Sequence, residues 1–140
     1  MDRNKEMYEF LKQYPDAYGV LNFIFSQASD GNTSFIPVTN DRVIKTDILG
    51  TKTKAYIFAI AVYKSYSPDV PGENLDNINA VQDFMKWIDE QEAQRNYPKF
   101  ANATVVKIEN LQNIPGASGI DEQMRLAKYM FQCKVTYKEK

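Results

Sequence analysis

Lys54-Ala-Tyr-Ile-Phe-Ala-Ile-Ala-Val-Tyr-Lys-Ser-Tyr66 is the longest run of strand-like apolar sequence in the chain, and its two faces differ. In an extended chain successive side chains alternate sides, which sets Tyr56, Phe58, Ile60 and Val62 on one surface and Ala55, Ile57, Ala59, Ala61 and Tyr63 on the other. The bulky face calls for a layer of helix over it. The alanine face is shallow and admits close approach by a second layer or another subunit. Two apolar faces mark a central strand, and the remaining elements are expected to assemble about it.

Working upstream, Arg42 to Ile48 reads as a strand that turns at Leu49-Gly50-Thr51 into the central one, forming a hairpin. Before it, Tyr18 to Phe25 reads as a first strand closed by the turn residues Asp30-Gly31-Asn32. Phe35-Ile36-Pro37-Val38 follows as a short return strand, and Pro37, which has no amide hydrogen, belongs at an edge or a bulge. At the start, Met7, Phe10, Leu11 and Tyr14 share one helical face, with Asp2 as cap and Pro15 as stop. Downstream, the turn chemistry of Ser67 to Gly72 leads to a helix predicted from Glu73 or Asn74 to Arg95. Its residues Leu75, Ile78, Val81, Met85 and Ile88 should lie on the sheet. Ala80, Phe84 and Trp87 widen the apolar arc beyond what one contact layer needs, so Trp87 is expected against a loop of the same chain or another subunit. Thr104 to Glu109 reads as a further strand and Leu111 to Gly119 as a connecting loop. The last strand, starting between Met124 and Lys128, sets Tyr129, Phe131, Cys133, Val135 and Tyr137 against Met130, Gln132, Lys134 and Thr136.

The chain has 140 residues, enough for one core, so residues 1–140 are read as a single domain. Its 44% hydrophobic and 25% charged content is that of a globular protein and not of a disordered tail. No apolar run approaches the roughly 20 residues that cross a bilayer, and Met1 to Glu6 lacks an apolar signal core, so use in the cytoplasm and no membrane contact are expected. A net charge of −1 gives no global attraction to nucleic acid. Nine Tyr and eight Phe exceed the needs of a small core, which places several rings at the surface or between chains.

Chemistry is sparse. Cys133 is the single cysteine and the chain has no histidine, so a thiol nucleophile would have no imidazole base. Cys133 reads as a packing residue. Asp89, Glu90 and Glu92 sit on a solvated helix, while Asp121 and Glu122 lack the further oxygen ligands a cation needs. Gly50 to Thr53 has the wrong order of elements for a phosphate loop and is a hairpin turn. Tyr63-Lys64-Ser65-Tyr66 and Tyr97-Pro98-Lys99-Phe100 interleave rings and cations as single-strand binders do, but solvated element ends explain them more simply. No catalytic, cofactor-binding or metal-binding residues are expected.

Several segments together resemble one family. The amphipathic first helix, Asp47-Ile48-Leu49-Gly50 leading into Tyr56-Ile57-Phe58-Ala59-Ile60, and Tyr66-Ser67 before a loop are similar to small tail terminator proteins of long-tailed bacteriophages. So are Phe84 to Gln91, Asn96 to Phe100 and Tyr129 to Tyr137. The resemblance covers most of the chain and contains no catalytic signature. It implies an α+β domain whose single antiparallel sheet carries two main helices on one face, assembled as a homo-oligomeric ring, usually a hexamer. Such a ring caps the tail tube protein, offers a docking surface to a head completion or connector protein, and lets DNA pass without reading its sequence. The implied place is the virion, at the head-tail junction, after assembly in the host cytoplasm. On this reading Ala55, Ala59, Ala61, Tyr63, Phe84 and Trp87 are the candidate contacts with subunits or partners. The alternatives are another head-tail connector, a head completion protein or a minor capsid protein. From other classes come a small-molecule-binding module or enzyme, and a single-strand nucleic-acid binder.

Overall fold

The computed structural model describes residues 3–14, 21–23, 33–65, 71–112, 115–121 and 126–139. Along them run α1 (Arg3–Leu11), β1 (Leu21–Phe23), β2 (Thr33–Thr46), β3 (Lys52–Ser65), α2 (Pro71–Gln94), β4 (Thr104–Asn110), β5 (Gly116–Asp121) and β6 (Leu126–Glu139). The strands form one sheet in the order β1-β2-β3-β6-β4, with β5 also paired to β6. Because β3 takes the whole length of β6 on one side, β4 and β5 share its other edge, β4 beside Cys133 to Lys138 and β5 beside Leu126 to Met130. The fold is α+β, a single sheet with two helices over one face.

The bulky face of β3 is the floor of the core. Tyr56, Phe58, Ile60 and Val62 are fully buried, in one cluster with Phe131, Cys133 and Val135 of β6, Met7 and Phe10 of α1, and Val81, Phe84 and Ile88 of α2. α1 buries Met7, Phe10 and Leu11, and Tyr14 just beyond it is buried too, as the helical spacing of the four residues requires. Among the described residues the aromatic side chains are mostly interior. Phe35 meets Phe58 edge-on at 5.6 Å between ring centres, Phe84 meets Phe131 at 5.6 Å, and Phe100 meets Tyr137 at 5.1 Å. The expectation that surplus rings lie at the surface is therefore corrected for these residues: edge-to-face packing consumes them in the core.

Other expectations change in instructive ways. β1 runs parallel to β2, pairing Leu21 with Thr33 and Phe23 with Phe35, so Phe35 to Val38 is not the antiparallel return of a hairpin. That stretch and Arg42 to Thr46 belong to one long strand, β2, whose register slips at Pro37, after Thr39 and after Val43. The slips hid its continuity, because each bulge breaks the period-two pattern. α2 starts at Pro71, where a missing amide hydrogen costs a helix nothing. At its other end Arg95 has φ 56, and the Asn96 amide donates to the Gln91 carbonyl at 2.9 Å. Leu75, assigned to the sheet, is 58% exposed, whereas Val81, Met85 and Ile88 are buried. The expected loop at Leu111 to Gly119 contains the start of β5, since ladder bonds use backbone groups and the upper half of β6 needs a partner that β4 does not supply. Asp2, Pro15 and the Asp30-Gly31-Asn32 turn lie outside the described residues.

Candidate interaction surface

The sheet face turned away from the helices is set by register, since residues directly opposite in an antiparallel pair share a face. Ala55 stands between Arg42 and Thr136, Ile57 between Thr39 and Lys134, Ala59 between Ile36 and Gln132, and Ala61 between Ser34 and Met130. Ala55, Ala59 and Ala61 are each 1% exposed, although they face away from the helices. Their flanking side chains are all longer than a methyl group, so a partner laid on this face would meet those first. The alanines supply depth rather than contact area. Tyr63 is partly exposed beside Lys128, whose ammonium lies 5.9 Å from the ring centre.

The lower half of this face is basic. Arg42, Lys45 and Lys138 are exposed there and Lys134 is half-buried. Arg42 and Lys45 are an odd number of residues apart, so strict alternation would send them to opposite faces. The slip after Val43 puts Arg42 opposite Ala55 and Lys45 opposite Thr53, and both then point the same way. Lys107 adds a further cation, but Glu109 neutralises it at 2.7 Å, and hydrogen bonding to that carboxylate raises the Lys107 pKa. Arg42, Val43, Ile44, Ala55, Ile57 and Lys134 line a shallow depression of about 280 Å³.

The β2–β3 hairpin ends this face. The Asp47 carboxylate accepts from the amides of Leu49 and Thr51, both at 2.9 Å, and Gly50 takes φ 86, so the turn is built locally. At its tip Ile48 is 102% and Leu49 90% exposed, with Val43 and Ile44 about half exposed behind them. Large aliphatic side chains displayed on this turn cover almost nothing of their own fold.

Phe84 and Trp87 are placed elsewhere. Phe84 is wholly buried, so it offers no surface to a second chain and the expectation that it makes such a contact is corrected. Trp87 lies 5.4 Å from Phe10, 5.5 Å from Tyr14 and 6.1 Å from Phe84, ring centre to ring centre. The wide apolar arc of α2 is thus taken up by α1 and Tyr14 in addition to the sheet.

Two interior polar groups were not legible in advance. Arg3, 2% exposed, donates to Glu6 at 3.0 Å, to the Ala101 carbonyl at 2.9 Å and to Glu139 at 2.9 Å, with its guanidinium over the rings of Phe100 and Tyr137. Lys54 reaches the same Glu139 carboxylate at 3.1 Å, and its hydrogen bond, with Arg3 adding to it, holds Glu139 below the usual carboxylate range. Deeper in, the Cys133 thiol lies 3.2 Å from Asn110 Oδ1, while Asn110 Nδ2 donates to the Met85 carbonyl and to Asp89. Burial, and secondarily the charge of Asp89, pushes the Cys133 pKa far up, which disfavours the thiolate that a nucleophile requires.

An open hollow of about 570 Å³ lies between α1 and Asn96 to Lys99. Its walls alternate Lys5 and Lys99 with Glu6 and Glu9, and Glu6 is committed to Arg3 and the Ala101 amide, so no convergent polar set points into it. Among the described residues no group of three acidic or cysteine side chains could hold a metal ion, and no helix is long and apolar enough to cross a membrane. A scan against protein-family models and a search of curated proteins each gave no match.

Proposed function

We propose that the chain is a structural subunit that works by contact, and specifically a tail terminator that assembles as a ring, caps the tail tube and receives the head. The terminator identity draws on the segments that resemble that family. The observation that supports a contact function is the hairpin tip, where Ile48 and Leu49 stand almost wholly in water. Covering each such side chain is worth about 1.5–3 kcal/mol, and the turn closed by Asp47 holds both away from the chain's own core. Capping is then geometric: one face of the ring matches the last ring of the tube and blocks addition of the next.

Sedimentation velocity and negative-stain electron microscopy of the purified chain, alone and with tail tubes, test the reading. Rings at tube ends are expected, with tube length fixed in their presence. A chain that stays monomeric at every concentration and leaves tubes growing would remove the proposal.

A further inference from the structure

The net charge of −1 conceals two faces of opposite sign. On the sheet face, Arg42, Lys45, Lys134 and Lys138 have no carboxylate partner among the described residues. On the opposite side of the molecule, Asp76, Asp83 and Glu90 of α2 recur every seven residues, which keeps them within about 40° of one another around the helix. All three are exposed and likewise lack an ion-pair partner among the described residues, with Lys86 the one cation of α2. A face of each sign on opposite sides of one chain is complementary to itself only after translation or rotation to a neighbour.

The sheet edges discourage the other route to self-assembly. β2 carries Pro37, three register slips and the cations Arg42 and Lys45 along its open edge. On β4 the Ile108 amide is already taken by Glu92 of α2 at 3.1 Å. Slipped, charged or capped edges are poor templates for strand addition, so along β2 and β4 copies are expected to meet through faces.

We propose that the basic sheet face of one copy docks on the acidic stripe of α2 of the next. This rests on the reading of the chain as a contact protein and names which surface meets which. The contact is heterologous, with different patches on the two partners, so repetition closes a ring or extends a filament and does not stop at a dimer. Nucleic acid is the other polyanion such a face could hold. Its weakness as an occupant is that the chain, at a net charge of −1, offers a polyanion no overall attraction.

Two charge-reversed proteins test it. One carries Arg42→Glu with Lys134→Glu, the other Asp83→Lys with Glu90→Lys, all at exposed or half-exposed positions outside the core. Self-association, read by sedimentation velocity at low and at physiological salt, should weaken at least tenfold in each, with unchanged circular dichroism. Mixing them one to one should restore assembly, because each then offers the other an acid-base pair. Mixtures that stay dispersed, or single variants that assemble as the parent does, would overturn the proposal. So would a monomeric parent that binds a single-stranded oligonucleotide through Arg42 and Lys134. Rings that form and respond to mixing, yet never cap a tube, would leave this contact standing and remove the terminator role. Normal capping by both variants would do the reverse.

Discussion

Arg3 and Glu139, 136 positions apart in the chain, meet at 2.9 Å and fasten the first helix to the last strand. The same guanidinium covers two rings and holds the carbonyl of Ala101, so one side chain joins α1, β6 and the segment before β4. Both terminal nitrogens of this buried cation are met, Nη1 by Glu6 and the Ala101 carbonyl and Nη2 by Glu139, which offsets part of the cost of taking the charge out of water. Replacing Arg3 by alanine should lower stability by about 2 kcal/mol, less than a fully buried pair would lose because Glu6 and Glu139 keep access to water. Arg3→Lys should recover only part of it, lacking the planar fork. Urea unfolding of the three proteins checks this; equal midpoints would show that the pairing adds nothing net.

Acid should loosen the same junction. Hydrogen bonding to Lys54 depresses the Glu139 pKa below its unfolded value. Its contribution is therefore complete above the ordinary glutamate range and is lost as pH falls through the lower folded value. Glu139→Gln should be the less stable protein at pH 7, and the gap to the parent should shrink as the pH approaches 3. A gap that holds constant across that range would mean the charge of Glu139 is immaterial.

For Trp87, contacts with Phe10, Tyr14 and Phe84 predict a role in folding and not in assembly. Truncation to alanine should cost roughly 2 kcal/mol, below the loss for a fully buried indole. Its fluorescence emission should be shifted to the blue in dilute monomer and move no further on association. A spectral change that tracks oligomer formation would put the indole at a subunit boundary instead.

The thiol of Cys133 gives a clean reporter of opening. Being wholly buried, with its pKa raised by desolvation, it should react with an aromatic disulfide reagent only as fast as the chain unfolds. Labelling that is rapid and insensitive to stabilising conditions would contradict the packing described for β6.

Alternation of large and small residues was enough to read both faces of β3 and the buried side of β6 from the sequence, because one face of each is dominated by rings and branched chains. The same rule failed at β2, where bulges move the pattern, and at β5, where Gly116, Ala117 and Gly119 look like a loop yet pair with β6. Phe84 and Trp87 signalled a second contact layer, for which the sequence offers a loop of the same chain or another subunit; Phe10 of α1 and Tyr14 supply it, which the spacing within α2 does not reveal. The basic face was half visible in Lys134 and Lys138, both on the polar side of β6. Its other half depended on the slip that turns Lys45 to join Arg42, which no periodicity reveals. Ion pairs such as Arg3 with Glu139 carry no local sequence mark at all, since their partners are brought together only by the completed sheet.

The central ladder has a consequence for biosynthesis. β3 is joined on one side by β2, its neighbour in sequence, and on the other by β6, whose Glu139 lies opposite Lys52. While the ribosome is still making β4, the bulky face of β3 has only half its lateral support and the alanine side has one neighbour. Productive folding must then wait for β6 to emerge, and loop closure across the intervening α2, β4 and β5 makes that last step slow. In the interval the half-built sheet exposes a long apolar strand edge, so yield in the cell should depend on temperature and chaperone supply more steeply than the stability of the finished chain would suggest.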